Sequence, residues 1–279
     1  MAPRIIAHFP PHRVYVEPYG GAASVLLRKP RAYAEYYGDL DDEVVTFFDV
    51  LRDPASAARL EAELRLTPYA RAEFERSYEP AQDPVERARR LLVRSFMGHG
   101  SDGATSAYKT SFRATSDRSY TTPAHDWRNY PASLPAIAAR LQGVIIENKP
   151  AMDVMAERDR EDALHYLDPP YLPETRSRLR QSGPVNAAGV NTYRRGAYRF
   201  EMTPDEHTEL LAFVKTLRGA VVLSGYPSAL YDDALGGWHR VEIDALADGA
   251  KKRIEVLWIN PSAAAALDQM QTPLLAWRP

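Results

Sequence analysis

Strand-like runs alternate with helical runs at both ends of this chain, and that alternation limits the fold more than any single motif. RVYVE (13–17), AYAEYYGD (32–39), GVIIEN (143–148), ALHYLD (163–168), AVVLSGY (220–226), WHRVEI (238–243) and RIEVLWIN (253–260) are short and rich in β-branched and aromatic residues. Between them, DDEVVTFFDVLRD (41–53) sets Val44, Val45, Phe48 and Leu51 on one helical face, and AASVLLRK (22–29) and AMDVMAERD (151–159) have helical composition. A further helix begins at Thr203, where Thr203 and Glu206 carry the spacing of a capping box and Leu210, Leu211, Val214 and Leu217 supply the apolar face. The pattern predicts an α/β fold, a doubly wound and mostly parallel sheet covered by helices. Ligands of such sheets bind outside the carboxyl ends of the strands.

Residues 54 to 142 break the rhythm. They hold Arg-rich helical stretches and then a polar segment (98–127) without a clear strand, which reads as an inserted subdomain. A chain of 279 residues, 45% of them apolar, can build a core large enough to carry such an insertion. Cysteine is absent, which excludes disulfides and cysteine-rich zinc sites, and no metal is expected. No apolar run has the length of a membrane span, and MAPRIIAHFPPHR is too short in its apolar part for a secretory signal, so a cytoplasmic protein is expected. The net charge of -2 argues against a uniformly basic coat but not against local basic patches.

Three motifs stand at strand ends. In VEPYGGAAS (16–24) an acid is followed by a glycine turn into a helical run, an arrangement that lets backbone approach a ligand and offers amides at a helix N-terminus. The turn lacks a Walker lysine, and Glu17 suits an ammonium group better than a phosphate; a plain tight turn is the alternative. GDLDDE (38–43) places Asp39, and less directly Asp41, where a doubly wound fold sets an acid on ribose hydroxyls, although these acids also suit the start of a helix. In HYLDPPYLPE (165–174) two prolines fix the backbone after Asp168. The Asp168 carboxylate and the Pro169 carbonyl can then accept hydrogen bonds from one amino group while Tyr171 offers a stacking face, which suits an aromatic amine; a structural turn is the alternative.

With these residues the chain resembles the Dam-type (D12 class) DNA adenine-N6 methyltransferases, which include many phage-borne members. VEPYGGAAS is similar to the family's S-adenosylmethionine motif, with Ala23 where glycine is common; GDLD is similar to its acidic motif, DPPY to its catalytic motif, and VVLSGY and EVLWIN to its later strands. The resemblance implies a Rossmann-like catalytic domain (1–53 and 143–279) and a mostly helical target-recognition insert (54–142). It implies methyl transfer from S-adenosylmethionine to the exocyclic amine of an adenine flipped out of double-stranded DNA. Asp168, Pro169, Pro170 and Tyr171 would be catalytic, and Glu17, Pro18, Tyr19, Gly20, Gly21, Asp39, Asn148 and Asp168 would hold the cofactor; two positions beyond Asn148, Pro150 replaces a common acid. In DPVERARRLLVRSFMG (83–98) the apolar Val85, Ala88, Leu91, Leu92 and Phe96 share a face and leave Arg87, Arg90 and Arg94 for DNA phosphates, unless they mark only a solvated face. Tyr108, Lys109, Arg113, Arg118, Trp127 and Arg128 interleave cations with aromatics, as a DNA-contacting segment would.

Two further readings stay open. The same pocket chemistry serves enzymes that methylate RNA adenines or glutamine amides, and a catalytically weak or inactive DNA-binding relative would keep the fold. The resemblance also implies a Gly-Gly-Lys leader ahead of the first helix. Because the sequence opens at Met1 within that helix, weak cofactor binding and slow or absent turnover are expected, with a restored leader tightening binding.

Overall fold

A computed structural model describes residues 1–98, 109–115, 121–172, 175, 200–246 and 252–275. Its centre is a seven-stranded sheet of β1 (Val14–Glu17), β2 (Ala34–Gly38), β3 (Val144–Glu147), β4 (Ala163–Leu167), β5 (Ala220–Gly225), β6 (His239–Leu246) and β7 (Lys252–Ile259), in the order β3-β2-β1-β4-β5-β7-β6. The first five strands run parallel; β7 is antiparallel to both β5 and β6. The sheet is therefore the doubly wound, mostly parallel one that the alternation predicts. β1 and β4 are central and buried along their whole length, which is why VYV and ALHYL read as continuous apolar runs instead of alternating ones.

Helices cover both faces. On one side α1 (Ala2–Ile6), α2 (Asp42–Arg52), α3 (Pro54–Leu66), α4 (Arg71–Arg76), α5 (Pro84–Met97), α6 (Pro123–Asn129) and α7 (Leu134–Leu141) share a continuous core with Tyr15, Tyr37, Leu164, Tyr166 and Val222 of the sheet. On the other, α8 (Ala151–Arg158), α9 (Pro204–Val214) and α10 (Ala229–Ala234) pack on Val14, Val16, Leu167, Val221 and Leu223. A last helix, α11 (Pro261–Leu275), buries Ala263 against the first face. Each large side chain fully buried in these layers contributes roughly 1.5–3 kcal/mol. The Thr203 capping box forms: Thr203 Oγ1 accepts from Glu206 N–H (3.3 Å), and the Glu206 carboxylate accepts from Thr203 N–H (2.6 Å).

Two local expectations fail. AASVLLRK is not a regular helix but a run of turns, closed by Ala23 N–H to Gly20 O (2.8 Å) and Leu27 N–H to Ala23 O (2.9 Å). Gly21 (φ 48°) and Ala23 (φ 52°) both sit in the left-handed region, which no α-helix can absorb at its start. The second concerns α5. It is enclosed by α2, α3, α4 and α6, so its later half is buried almost all round, Arg94 included.

One ionic cluster ties the end of the 54–142 segment to the sheet. Glu35 of β2, buried, accepts from Lys29 Nζ (2.6 Å) and from both Nη atoms of Arg140 in α7 (2.6 and 3.0 Å). The Lys29 ammonium also lies over the Tyr15 ring, 4.3 Å from its centroid.

Candidate active site

The site is assembled at the carboxyl ends of β1, β2, β4 and β5. β1 delivers Glu17, and the chain then turns through Pro18 and Tyr19 to the two glycines. Gly20 is dictated by packing, because a Cβ there would stand 1.9 Å from the Tyr37 ring. Gly21 is dictated by its positive φ. β2 clamps this turn from beside it. Gly20 N–H donates to Gly38 O (2.8 Å), Gly21 N–H donates to Asp39 Oδ2 (2.7 Å), and the Tyr37 hydroxyl donates to Gly21 O (2.6 Å). Asp39 Oδ1 accepts from Asp41 N–H (2.7 Å), Asp41 caps α2, and the Asn148 side-chain amide donates to Asp39 O (2.8 Å) from an exposed position. The structure thus brings Glu17, Gly20, Gly21, Asp39 and Asn148 together around one turn.

Glu17 is buried. The Tyr15 hydroxyl, two residues earlier on the same strand face, donates to Glu17 Oε2 at 2.6 Å. Burial pushes the Glu17 carboxyl up to about 8; the Tyr15 hydrogen bond opposes this and the nearby Asp168 charge adds to it. Asp168 follows the end of β4 and is exposed to solvent, with protein atoms crowded closely enough about its carboxyl to act on its ionisation. Its carboxyl is raised by desolvation and held down by hydrogen bonds from Ser224 and Tyr171. Ser224 Oγ donates to Asp168 Oδ1 at 2.9 Å. Pro169 is buried and Pro170 half-buried, and the Tyr171 ring leans on Tyr226, with centroids 4.4 Å apart and planes at 53°. Neither Glu17 nor Asp168 has an ion-pair partner among the described residues. Glu17 is buried with Lys29 as a more distant counter-charge, and Asp168 is exposed; once ionised, either acid favours a positively charged ligand over a phosphate.

The basic residues are arranged otherwise. Arg94 donates to Glu43 and to the Ser77 carbonyl inside the core. Arg90 bonds Glu86 Oε1 (2.6 Å) and Glu79 O (2.6 Å), and Arg87 bonds Asp42 Oδ2 (2.6 Å). The arginines of α5 thus serve intramolecular pairs, and the burial of Arg94 corrects the expectation that this residue lies open for phosphates. Trp127 is likewise buried, its Nε1–H on Thr67 O (2.7 Å). Lys109 is exposed, 4.0 Å from Glu75. Arg113 lines a pocket of ≈ 160 Å³ with Ser95, Phe96, Pro123 and Asp126. Tyr108 and Arg118 lie outside the described residues.

Sequence reasoning missed Tyr15, Tyr166, Ser224 and Tyr226. One signal was present: each strand-end acid is preceded two residues earlier by a tyrosine, Tyr15 before Glu17 and Tyr166 before Asp168. Among the described residues no helix is long and apolar enough to cross a membrane. No curated protein matches the chain significantly. A family model described as D12 class N6 adenine-specific DNA methyltransferase matches residues 1–182.

Proposed function

The chain belongs to the D12 class N6 adenine-specific DNA methyltransferase family, and from that premise we propose that its β1–β2 turn holds S-adenosylmethionine while the Asp168–Tyr171 segment receives an adenine flipped out of double-stranded DNA. The observation that carries this reading is the pair of acids at adjacent strand ends, Glu17 buried and Asp168 exposed, neither with an ion-pair partner among the described residues. Glu17 suits the ammonium of the cofactor's methionine part; the left-handed Gly21 has open space above it; Asp39, Asn148, Pro18, Tyr19 and Gly20 complete the wall. The residues present therefore fit the cofactor, which when bound supplies an electrophilic methyl group.

The chain's own residues do the rest. Adenine's exocyclic nitrogen is a weak nucleophile because its lone pair is delocalised into the ring. Hydrogen bonds from that amine to the Asp168 carboxylate and the Pro169 carbonyl aim the lone pair, and the carboxylate stabilises the positive charge that grows on nitrogen. Tyr226 leans on the Tyr171 ring, and Tyr171 supplies the aromatic surface against which the base stacks. We assign residues 54–142 to DNA recognition, with Arg113 and Lys109 as contacts, together with Tyr108 and Arg118 of the same segment.

Incubation with isotopically labelled S-adenosylmethionine and unmethylated genomic DNA, followed by nucleoside mass spectrometry, tests the assignment. Labelled N6-methyladenine from the parent protein and none from Asp168→Ala is expected. Equal labelling by both removes Asp168 from the reaction, and labelling of RNA in preference to DNA moves the substrate to RNA.

A further inference from the structure

Side chains two residues apart on a strand share a face, and paired residues on neighbouring parallel strands point the same way. Leu164, Tyr166 and Asp168 therefore line one side of β4 and its end. The pairing of Tyr166 with Val222 and Leu167 with Leu223, carried one residue further, sets Ser224 beside Asp168. The hydrogen bonds agree: Tyr166 hydroxyl to Ser224 Oγ is 3.1 Å, and Ser224 Oγ to Asp168 Oδ1 is 2.9 Å. Ser224 is buried, as is Tyr166.

A serine hydroxyl has one proton to give and lone pairs to receive. With its proton on the Asp168 carboxylate, Ser224 accepts from Tyr166, whose own proton otherwise has no place in a dry core. The direction of the chain is thus Tyr166 to Ser224 to Asp168. We propose that Ser224 is a positioning residue for the methyl transfer, its hydroxyl orienting the Asp168 carboxylate with the buried Tyr166 hydroxyl behind it. The proposal rests on the reading of Asp168 as the group that meets the substrate amine. In β1, Tyr15 gives its hydroxyl directly to Glu17, so both acids stand on a tyrosine; only Asp168, two positions further out than Glu17 in the β1–β4 register, is reached through an intermediary.

Among the described residues, the groups facing Asp168 are Glu17 from β1, Tyr166 from β4, Tyr171 beyond it, Ser224 from β5 and Tyr231 from α10, and none of these is a cation. Hydrogen bonds are thus what oppose the desolvation of the carboxylate, and a hydrogen bond to the ionised form favours it. Ser224 is also 3.2 Å from the Leu167 carbonyl, so a purely structural role must be separated from a positioning one.

The test compares Ser224→Ala, Ser224→Thr and Tyr166→Phe with the parent and with Asp168→Ala, using genomic DNA and S-adenosylmethionine. Ser224→Ala lowers kcat by about 10-fold or more, the scale of one lost hydrogen bond to a charged group. It moves the acid limb of the kcat–pH profile to higher pH, because a carboxylate without its donor protonates earlier as pH falls. Ser224→Thr restores both, and Tyr166→Phe moves both in the same direction by less. KM for DNA and cofactor affinity stay near the parent's. A titration of the Asp168 carboxyl by 13C NMR in the unliganded protein, assigned against Asp168→Ala, rises in the Ser224→Ala variant and gives a readout independent of turnover. An Asp168 titration and a pH profile both unmoved by Ser224→Ala overturn the proposal. An active Asp168→Ala variant instead overturns the role of Asp168 itself, whatever the NMR shows.

Discussion

The carboxyl end of the sheet and helix α5 treat charge in opposite ways. Glu17 and Asp168 have no ion-pair partner among the described residues, whereas Arg87, Arg90 and Arg94 each meet an aspartate or glutamate of the chain itself. A buried acid without a close cation holds its proton near neutral pH, as Glu17 does, whereas breaking a buried pair is costly because it leaves a charge uncompensated. A fold tolerates the first situation where something else is to supply the counter-charge; the second holds elements together. On the proposed reading the sheet end awaits a cationic partner, while α5 holds together the helices around it.

The largest effect that tests this contrast is on α5. Arg94→Met leaves Glu43 without its guanidinium and is expected to cost about 3 kcal/mol of unfolding free energy in urea. The salt dependence of DNA binding should stay as in the parent, whereas a phosphate-contacting arginine would lower the slope by about 1. A stable variant with a reduced slope would return Arg94 to the DNA interface. At the sheet end, Asp168→Asn keeps the shape and removes the charge, so kcat should fall by about 100- to 1000-fold, the range seen when one oriented polar group is lost from an active site. Unfolding by urea should be nearly unaffected, since position 168 is exposed and the asparagine oxygen can still accept from Ser224.

Glu17 adds a pH signature. Its carboxyl titrates near 8 in the folded chain, above the ordinary carboxylate range, so the folded state holds the proton more tightly than the unfolded one. The associated stability is complete below the unfolded value and is lost as pH rises through about 8. An ammonium group arriving beside Glu17 ionises it, so cofactor binding near neutral pH should release about one proton. Calorimetry in buffers of differing ionisation enthalpy measures that proton, and Glu17→Gln should abolish it; identical heats across buffers would remove Glu17 from the cofactor site. The smallest effect belongs to Ala23. Glycine there relieves the left-handed backbone but gives up a buried methyl worth about 0.8 kcal/mol. Ala23→Gly should therefore change stability by less than about 1 kcal/mol.

Much of this was visible in the sequence because strands and prolines are local signals. The strand runs carried their own composition, and DPPY announced a rigid turn wherever its strand was placed. What stayed hidden depended on neighbours distant in the chain. Ser224 meets Asp168 across 56 residues of sequence, and only the register of β4 on β5 reveals it. The burial of Arg94 was hidden because a periodic helix is read as having one covered face, whereas α5 is covered on several. The turns that replace a helix after Gly21 follow from two left-handed residues, and an alanine gives no warning of such a conformation.

Under the proposed assignment of residues 54–142 to DNA recognition, the Lys29–Glu35–Arg140 cluster bears on how target specificity can be exchanged between relatives. A graft that replaces residues 54–142 carries Arg140 away with the old segment, while Glu35 remains in β2 with one carboxylate oxygen stripped of its partner. The excised helices also leave bare the sheet face with which they share a core. Successful transplants should therefore cut short of α7, keeping 134–142 with the recipient, or else bring a donor helix with an arginine in register to meet Glu35. In this chain the seam for recombination lies inside the insert, one helix earlier than its sequence boundary.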